Sequence, residues 1–280
     1  MSPWYRSSVL LATLVGVLVW SIGFSHGEER REIIVLRGSN GAAGRCLQWA
    51  SAYMETNPRV TVIVSGGGTS AGFEALFEKK ADVAMASREI FEKELQVAAL
   101  MKVQPQKVTV CEETVAIVTH PTNPVSELTI EQLGGIYRGY ISGWEEVGGP
   151  KQPIKKVTYT QTSGVSQELR HRAMEDDYFD SEAVIRDRFS TVLTEVARAI
   201  PFAIGYVPRL DAERGLEEQK VKIIAIKERR DASPLLPTVE SGKTRSYPLR
   251  FPIYFYWNER TVTSEVKRFV DFCRSRCLIP

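Results

Sequence analysis

Residues 60 to 89 read VTVIVSGGGTSAGFEALFEKKADVAMASRE, and the order of residue types in this stretch decides the fold class. Val60 to Val64 is a short β-branched run that predicts a buried strand. Ser65-Gly66-Gly67-Gly68 stops it, because glycines accept backbone angles that end a strand. A helix is predicted from about Ser70 to Lys79, and Asp82 to Ala86 predicts another short strand, closed by Ser87-Arg88-Glu89. Strand, glycine turn, helix, strand is the grammar of a βαβ unit.

The same grammar extends in both directions. Ile33 to Leu36 predicts a strand closed by Arg37-Gly38-Ser39-Asn40, and a helix follows from Ala42 to Glu55, with Cys46, Leu47, Ala50, Tyr53 and Met54 near helical spacing. Downstream come a helix from Ile90 to Met101 and a long strand from Val108 to Thr119. Past His120-Pro121 a Pro/Asn/Gly-rich passage leads into Leu128 to Gly149. Strands are then predicted at Lys156–Thr160, Ala203–Val207, Val221–Ile226 and Ile253–Tyr256, with helices at Val165–Met174, Thr194–Ala199 and Ser264–Arg274. The expected fold is α/β with a largely parallel sheet, in two lobes: residues 28–117 with 211–280, and residues 118–210.

The 280 residues are 43% hydrophobic and 25% charged, which excludes bulk disorder, and a net charge of +2 excludes a broadly basic nucleic-acid binder. Residues 1–27 differ from the rest. They carry one charge, Arg6, an apolar heart from Val9 to Trp20, and a small-x-small exit at Ser25-His26-Gly27. That is the pattern of a secretory signal peptide, with an uncleaved membrane anchor as the rival reading. Its removal would take the net charge from +2 to +1. Export to a periplasm or to the outside permits disulfides among Cys46, Cys111, Cys273 and Cys277, in any of three pairings. No metal site is expected, since Cys273 and Cys277 have no histidine nearby and His120 and His171 are far apart.

Three strands end in clusters of small hydroxyl residues that open a helix: Gly38-Ser39-Asn40-Gly41, Gly66 to Gly72 with Thr69 and Ser70, and Thr160 to Ser166 with Ser163 and Gly164. Ser87-Arg88 follows a fourth strand. Helix N-termini expose unpaired N–H groups at the positive end of the dipole, and small residues let an anion approach them. Each cluster alone also reads as an ordinary N-cap. Together, at strand ends of an open α/β sheet, they describe an oxyanion trap. Nucleotide loops fail: no lysine follows Gly66-Gly67-Gly68, and Gly72 falls one place late for a dinucleotide fingerprint. No G-x-S-x-G elbow is present, and the pairs Glu112-Glu113 and Asp176-Asp177 read as solvated surface. No enzyme and no cofactor are expected.

The block from Ser65 to Glu89 resembles the second ligand loop and strand of the periplasmic phosphate-binding proteins of ABC uptake systems, a type II periplasmic-binding-protein-like family. Leu128 to Leu133, Ile136 to Gly139 and Trp144 to Gly149 resemble that family's signature at the start of its second lobe, and Ala203–Val207 and Tyr247–Tyr254 match later segments. The resemblance implies two lobes, each a mixed β-sheet flanked by helices, closing over a small oxyanion in the cleft between them. It implies a ligand set of Ser39, Asn40, Thr69, Ser70, Ser87, Arg88, Ser163, Gly164 and, one position late, Ser166. It also implies inorganic phosphate or a similar oxyanion as ligand and ABC-transporter membrane subunits as partner, with the protein a monomer. Where the family's second-lobe loop reads Ser-Gly-Thr with an arginine a few residues earlier, this chain has Val165, and Tyr159 or Gln161 stands in the arginine's place.

Selecting phosphate over sulfate needs an acceptor for the phosphate proton, and Glu89 is the nearest carboxylate to the candidate loops in the sequence. Two other readings carry different chemistry. One is a sensor or adaptor of the same fold that docks a membrane signalling partner. The other is an exported phosphoesterase, disfavoured by the missing metal ligands and nucleophile–base pair.

Overall fold

A computed structural model describes residues 32–160, 163–198, 202–218 and 220–277. The expected leader, residues 1–27, and Gln161 lie outside the described residues.

The chain begins with β1 (Glu32–Gly38), α1 (Asn40–Thr56), β2 (Val60–Ser65), α2 (Thr69–Phe77), β3 (Val83–Ala86) and α3 (Glu92–Leu100). β1 pairs in parallel with both β2 and β3. Alternate residues Ile34 and Leu36 of β1 are buried, while all of β3 is buried, as expected of a strand covered on both faces. Helix α1 turns Cys46, Trp49, Ala50 and Tyr53 inward, an i, i+3, i+4, i+7 stripe. Two glycines let these layers touch. A β-carbon on Gly38 (φ +144°) would lie 2.0 Å from the Met85 carbonyl oxygen, and one on Gly72 would lie 2.6 Å from that of Arg37.

Strand β4 (Pro105–Thr119) then crosses the molecule. It is followed by β5 (Glu127–Thr129), α4 (Ile130–Arg138), a 3₁₀ turn (Trp144–Val147), β6 (Lys155–Tyr159), α5 (Gly164–Ala173), β7 (Val184–Arg186), α6 (Phe189–Arg198) and β8 (Ala203–Pro208). The chain closes through α7 (Arg209–Glu217), β9 (Lys222–Lys227), α8 (Val239–Lys243), β10 (Arg250–Asn258) and α9 (Ser264–Cys277). The strand order is β2-β1-β3-β10-β4-β8-β6-β7, with β9 joining β4 to β5. The sheet is mixed rather than largely parallel, because β10 runs antiparallel to both β3 and β4, and β4 antiparallel to β8 and β9.

Strand β4 links two groups of strands. Residues Pro105 to Thr114 pair with β10, and Val115 to Thr119 pair with β8. Of the strands past residue 211, β10 joins the first group, whereas β9 pairs with Ile117–Thr119 and with β5 in the second. At the changeover sits Glu113. The sequence reading placed it on a solvated surface, yet it is only 4% exposed. Its Oε2 takes bonds from Arg45 of α1 at 3.0 and 3.2 Å, and its Oε1 lies 3.4 Å from Nε of Arg209, the first residue of α7. Two guanidinium groups offset the cost of burying that carboxylate.

The cysteine pairing left open by the sequence is Cys111–Cys277, which ties the end of α9 to β4. Cys46 and Cys273 are free, buried thiols in the core, and burial pushes both far above the ordinary thiol range. Trp144, part of the segment resembling the family signature, is fully buried and donates from Nε1 to the Phe202 carbonyl at 3.1 Å, so its role is packing.

Candidate functional site

The hydroxyl clusters assemble where the sequence reading put them, at strand ends. Ser39 caps α1 by accepting from the Ala42 N–H at 3.4 Å, Gly68 (φ +96°) precedes α2, and Ser163 caps α5 by accepting from the Ser166 N–H at 3.1 Å. These three helix N-termini border one cavity of about 330 Å³. Ser39, Asn40, Thr69 and Ser70 line it from the first strand group, with the backbone of Gly67 and Gly68. Tyr159, Thr160, Ser163, Gly164 and Asp187 line it from the second. Its lining is hydroxyls, an amide, glycine backbone and one carboxylate.

Ser39, Thr69 and Ser87 form a buried cluster at 3%, 3% and 4% exposure. Ser39 and Ser87 hydroxyls lie 2.9 Å apart, the Thr69 and Ser87 hydroxyls 3.5 Å apart, and the Ser87 N–H donates to Thr69 Oγ1 at 3.3 Å. Their mutual bonds fix the rotors before any ligand arrives. Asn40 spans the cleft. Its Oδ1 accepts from the Gly67 N–H at 3.0 Å, and its Nδ2 donates to the Tyr159 hydroxyl at 2.5 Å.

Arg88 is placed differently from its neighbours. It lines the adjoining recess with Glu89, Gln167, Glu168 and Tyr254 rather than the cavity itself. Its two terminal nitrogens grip Glu94 at 2.8 and 2.9 Å, while Nη2 also donates to Ser70 Oγ at 2.9 Å and Nη1 to the Glu89 carbonyl at 2.8 Å. Phe91 covers one face, its ring centre 3.8 Å from the guanidinium carbon. Burial opposes ionisation of Glu94, but the bonds from Arg88 and from the Phe91 N–H hold its carboxyl below the usual range. Two acidic residues near it in the chain are engaged elsewhere: Asp82 accepts from the Val35 N–H, and the Glu89 carboxylate pairs with Lys107.

Ser87 lines that recess too, rather than the cavity, and Ser166 is also turned away. It is fully buried behind the cavity, 2.9 Å from Ser163 Oγ and 2.7 Å from the Tyr206 hydroxyl, and it donates to the Tyr159 carbonyl at 3.3 Å. It supports the loop from below. Glu89, the carboxylate nearest the loops in sequence, lies in the adjoining recess. Asp187 lines the cavity instead. It follows the three-residue strand β7, which is too short for periodicity to reveal, so no sequence signal pointed to it.

Among solved structures, the chain is similar to an ABC-type phosphate transport receptor from Vibrio cholerae. The two are 28% identical with a TM-score of 0.64, over 88% of this chain and 96% of that one. A high-affinity periplasmic phosphate-binding protein solved with phosphate bound shares the fold at a TM-score of 0.67 and 15% identity, over 85% of this chain and 84% of that one. Among curated relatives, the phosphate-binding protein PstS of Bacillus subtilis strain 168 is 26% identical over 253 residues, 89% of this chain and 78% of the relative. That of Borreliella burgdorferi is 21% identical over 255 residues, 89% and 86%. A family model described as the PBP superfamily domain matches residues 25–276, and the chain belongs to that superfamily.

Proposed function

We propose that this protein is an exported, monomeric solute-binding protein that captures inorganic phosphate between two lobes and presents it, chemically unchanged, to the membrane subunits of an ABC transporter. One observation carries the reading. Three helix N-termini and the hydroxyls of Ser39, Thr69, Ser70 and Ser163 face one cavity, supplying directed donors with no nucleophile–base pair among the described residues that line it. The relatives named as phosphate-binding proteins support it from a separate direction. The lobes are taken as the two strand groups joined at β4, hinging beside Glu113 and Thr114.

In this reading Ser39, Asn40, Thr69, Ser70, Ser163 and Gly164 contact the anion, and Ser87 and Ser166 orient them. Arg88 holds Ser70 from the adjoining recess. Asp187 accepts the phosphate proton, which sulfate lacks, so the carboxylate repels sulfate. Calorimetric titration with phosphate, sulfate, molybdate and tungstate tests the proposal. Saturable heat with phosphate and none with sulfate is expected, and silence at millimolar phosphate ends it.

A further inference from the structure

Tyr159 ends β6 at the cavity and is only 2% exposed. Its ring stacks on Phe189 with centroids 4.2 Å apart, and its main chain is fastened on both sides. The Tyr159 N–H donates to the Tyr206 hydroxyl at 3.1 Å, and its carbonyl accepts from Ser166 Oγ at 3.3 Å. The phenol oxygen therefore has one position. There it accepts from Asn40, whose amide is oriented by the Gly67 N–H on its other end. An oxygen used as acceptor keeps its own proton for a further partner. Burial holds the phenol in its protonated form against the pull of its bonds with Asn40 and Thr160, and the charge of Asp187 acts in the same direction as burial.

The charge of the cavity gives that proton its significance. Among the described residues, no cationic side chain lines it, and the guanidinium of Arg88 is spent on Glu94 in the next recess. Among the described residues, the second strand group offers the cavity only neutral side-chain donors, and Tyr159 is one held rigidly.

We propose that the Tyr159 hydroxyl, oriented by Asn40, is a direct donor to the bound oxyanion and the residue through which β6 joins the ligand to the first lobe. This inference rests on the phosphate reading above. A neutral donor supplies direction without net attraction, so affinity depends only weakly on ionic strength and the site gains little from a second negative charge on the ligand.

The test is calorimetry of wild type, Tyr159→Phe and Asn40→Ala with inorganic phosphate, at low and high salt, beside the ¹³Cζ resonance of labelled tyrosine. Tyr159→Phe keeps the ring stack. It is expected to weaken phosphate at least about tenfold while lowering ligand-free melting only slightly, and wild type is expected to show a phosphate-dependent shift of one tyrosine resonance that the variant lacks. Asn40→Ala should weaken binding by a similar factor. A wild type that ignores phosphate overturns the phosphate reading. A wild type that binds, with Tyr159→Phe binding equally well or with no tyrosine resonance responding, overturns the Tyr159 assignment alone.

Discussion

Gly164 and Ser87 meet across the cleft so closely that a β-carbon on residue 164 would stand 1.9 Å from the Ser87 Oγ and 2.6 Å from its carbonyl oxygen. Gly41 approaches the same helix end, its own β-carbon position lying 2.7 Å from Val165 Cγ2. The first turn of α5 thus seats directly on the loops of the first strand group. Gly164→Ala should leave each lobe folded and obstruct their approach. Overpacking of this kind costs about 1–3 kcal/mol, so phosphate affinity is expected to fall roughly tenfold to a hundredfold. Calorimetry measures the loss, and small-angle scattering with phosphate should show a more extended particle than wild type.

Ser39→Ala removes a hydroxyl that both caps α1 and faces the cavity. A hydrogen bond to a charged ligand contributes about 1.5–3 kcal/mol, and the lost cap costs about 1 kcal/mol of stability. Phosphate affinity should drop at least about tenfold, with a small fall in melting temperature. Ser39→Thr should recover much of both.

Glu94→Gln separates two roles for Arg88. The bidentate pair is largely buried, so breaking it should destabilise the protein by about 3 kcal/mol in urea unfolding. If Arg88 acts by holding Ser70, phosphate binding weakens together with stability. A gain in phosphate affinity, from a freed guanidinium reaching the ligand, would contradict that role.

Asp187→Asn should leave phosphate binding within about tenfold of wild type, because an amide oxygen still accepts the phosphate proton. Sulfate, no longer facing a carboxylate, should bind measurably. Competition calorimetry reads the ratio of the two affinities, and an unchanged ratio rules Asp187 out as the discriminating group.

Asp211, in the first turn of α7, gives stability a pH dependence. Burial lifts its carboxyl from the ordinary 3.8 to about 6, against the pull of Arg214 and with help from Glu113. The folded protein keeps a proton that the unfolded chain gives up, so this group's contribution falls as pH rises from about 4 to 6 and is level above that. Asp211→Asn should match wild type near pH 4 and exceed it by about 2–3 kcal/mol at pH 7, read from urea midpoints at several pH values.

Much of the frame was legible. The β-branched runs at Ile33–Leu36, Val60–Val64 and Ala203–Val207 are the cores of β1, β2 and β8, and the glycine and hydroxyl clusters behind them do end strands and open helices. Helix α4 was harder to read. Gly134-Gly135 lowers its helix propensity, yet a β-carbon on Gly134 would lie 1.7 Å from the Ala173 carbonyl oxygen, so packing against α5 requires the residue that obscures the helix. Strand direction was not legible at all: alternation and branching mark a strand, while its partner is chosen by the whole sheet.

What the sequence determined by itself is local: which segments are strands, where small hydroxyl residues free a helix terminus, and hence that an α/β protein with an anion trap was to be expected. The tertiary structure alone decided which donors face the cavity. Arg88 turned into the next recess, Ser166 turned beneath the loop, Glu113 was buried between two arginines, and Asp187 and Tyr159 were brought to the cavity. The reason is physical. A residue's backbone state follows from neighbours a few positions away, but Asn40 and Tyr159 are 119 positions apart, and only the packing of two strand groups about β4 makes them partners.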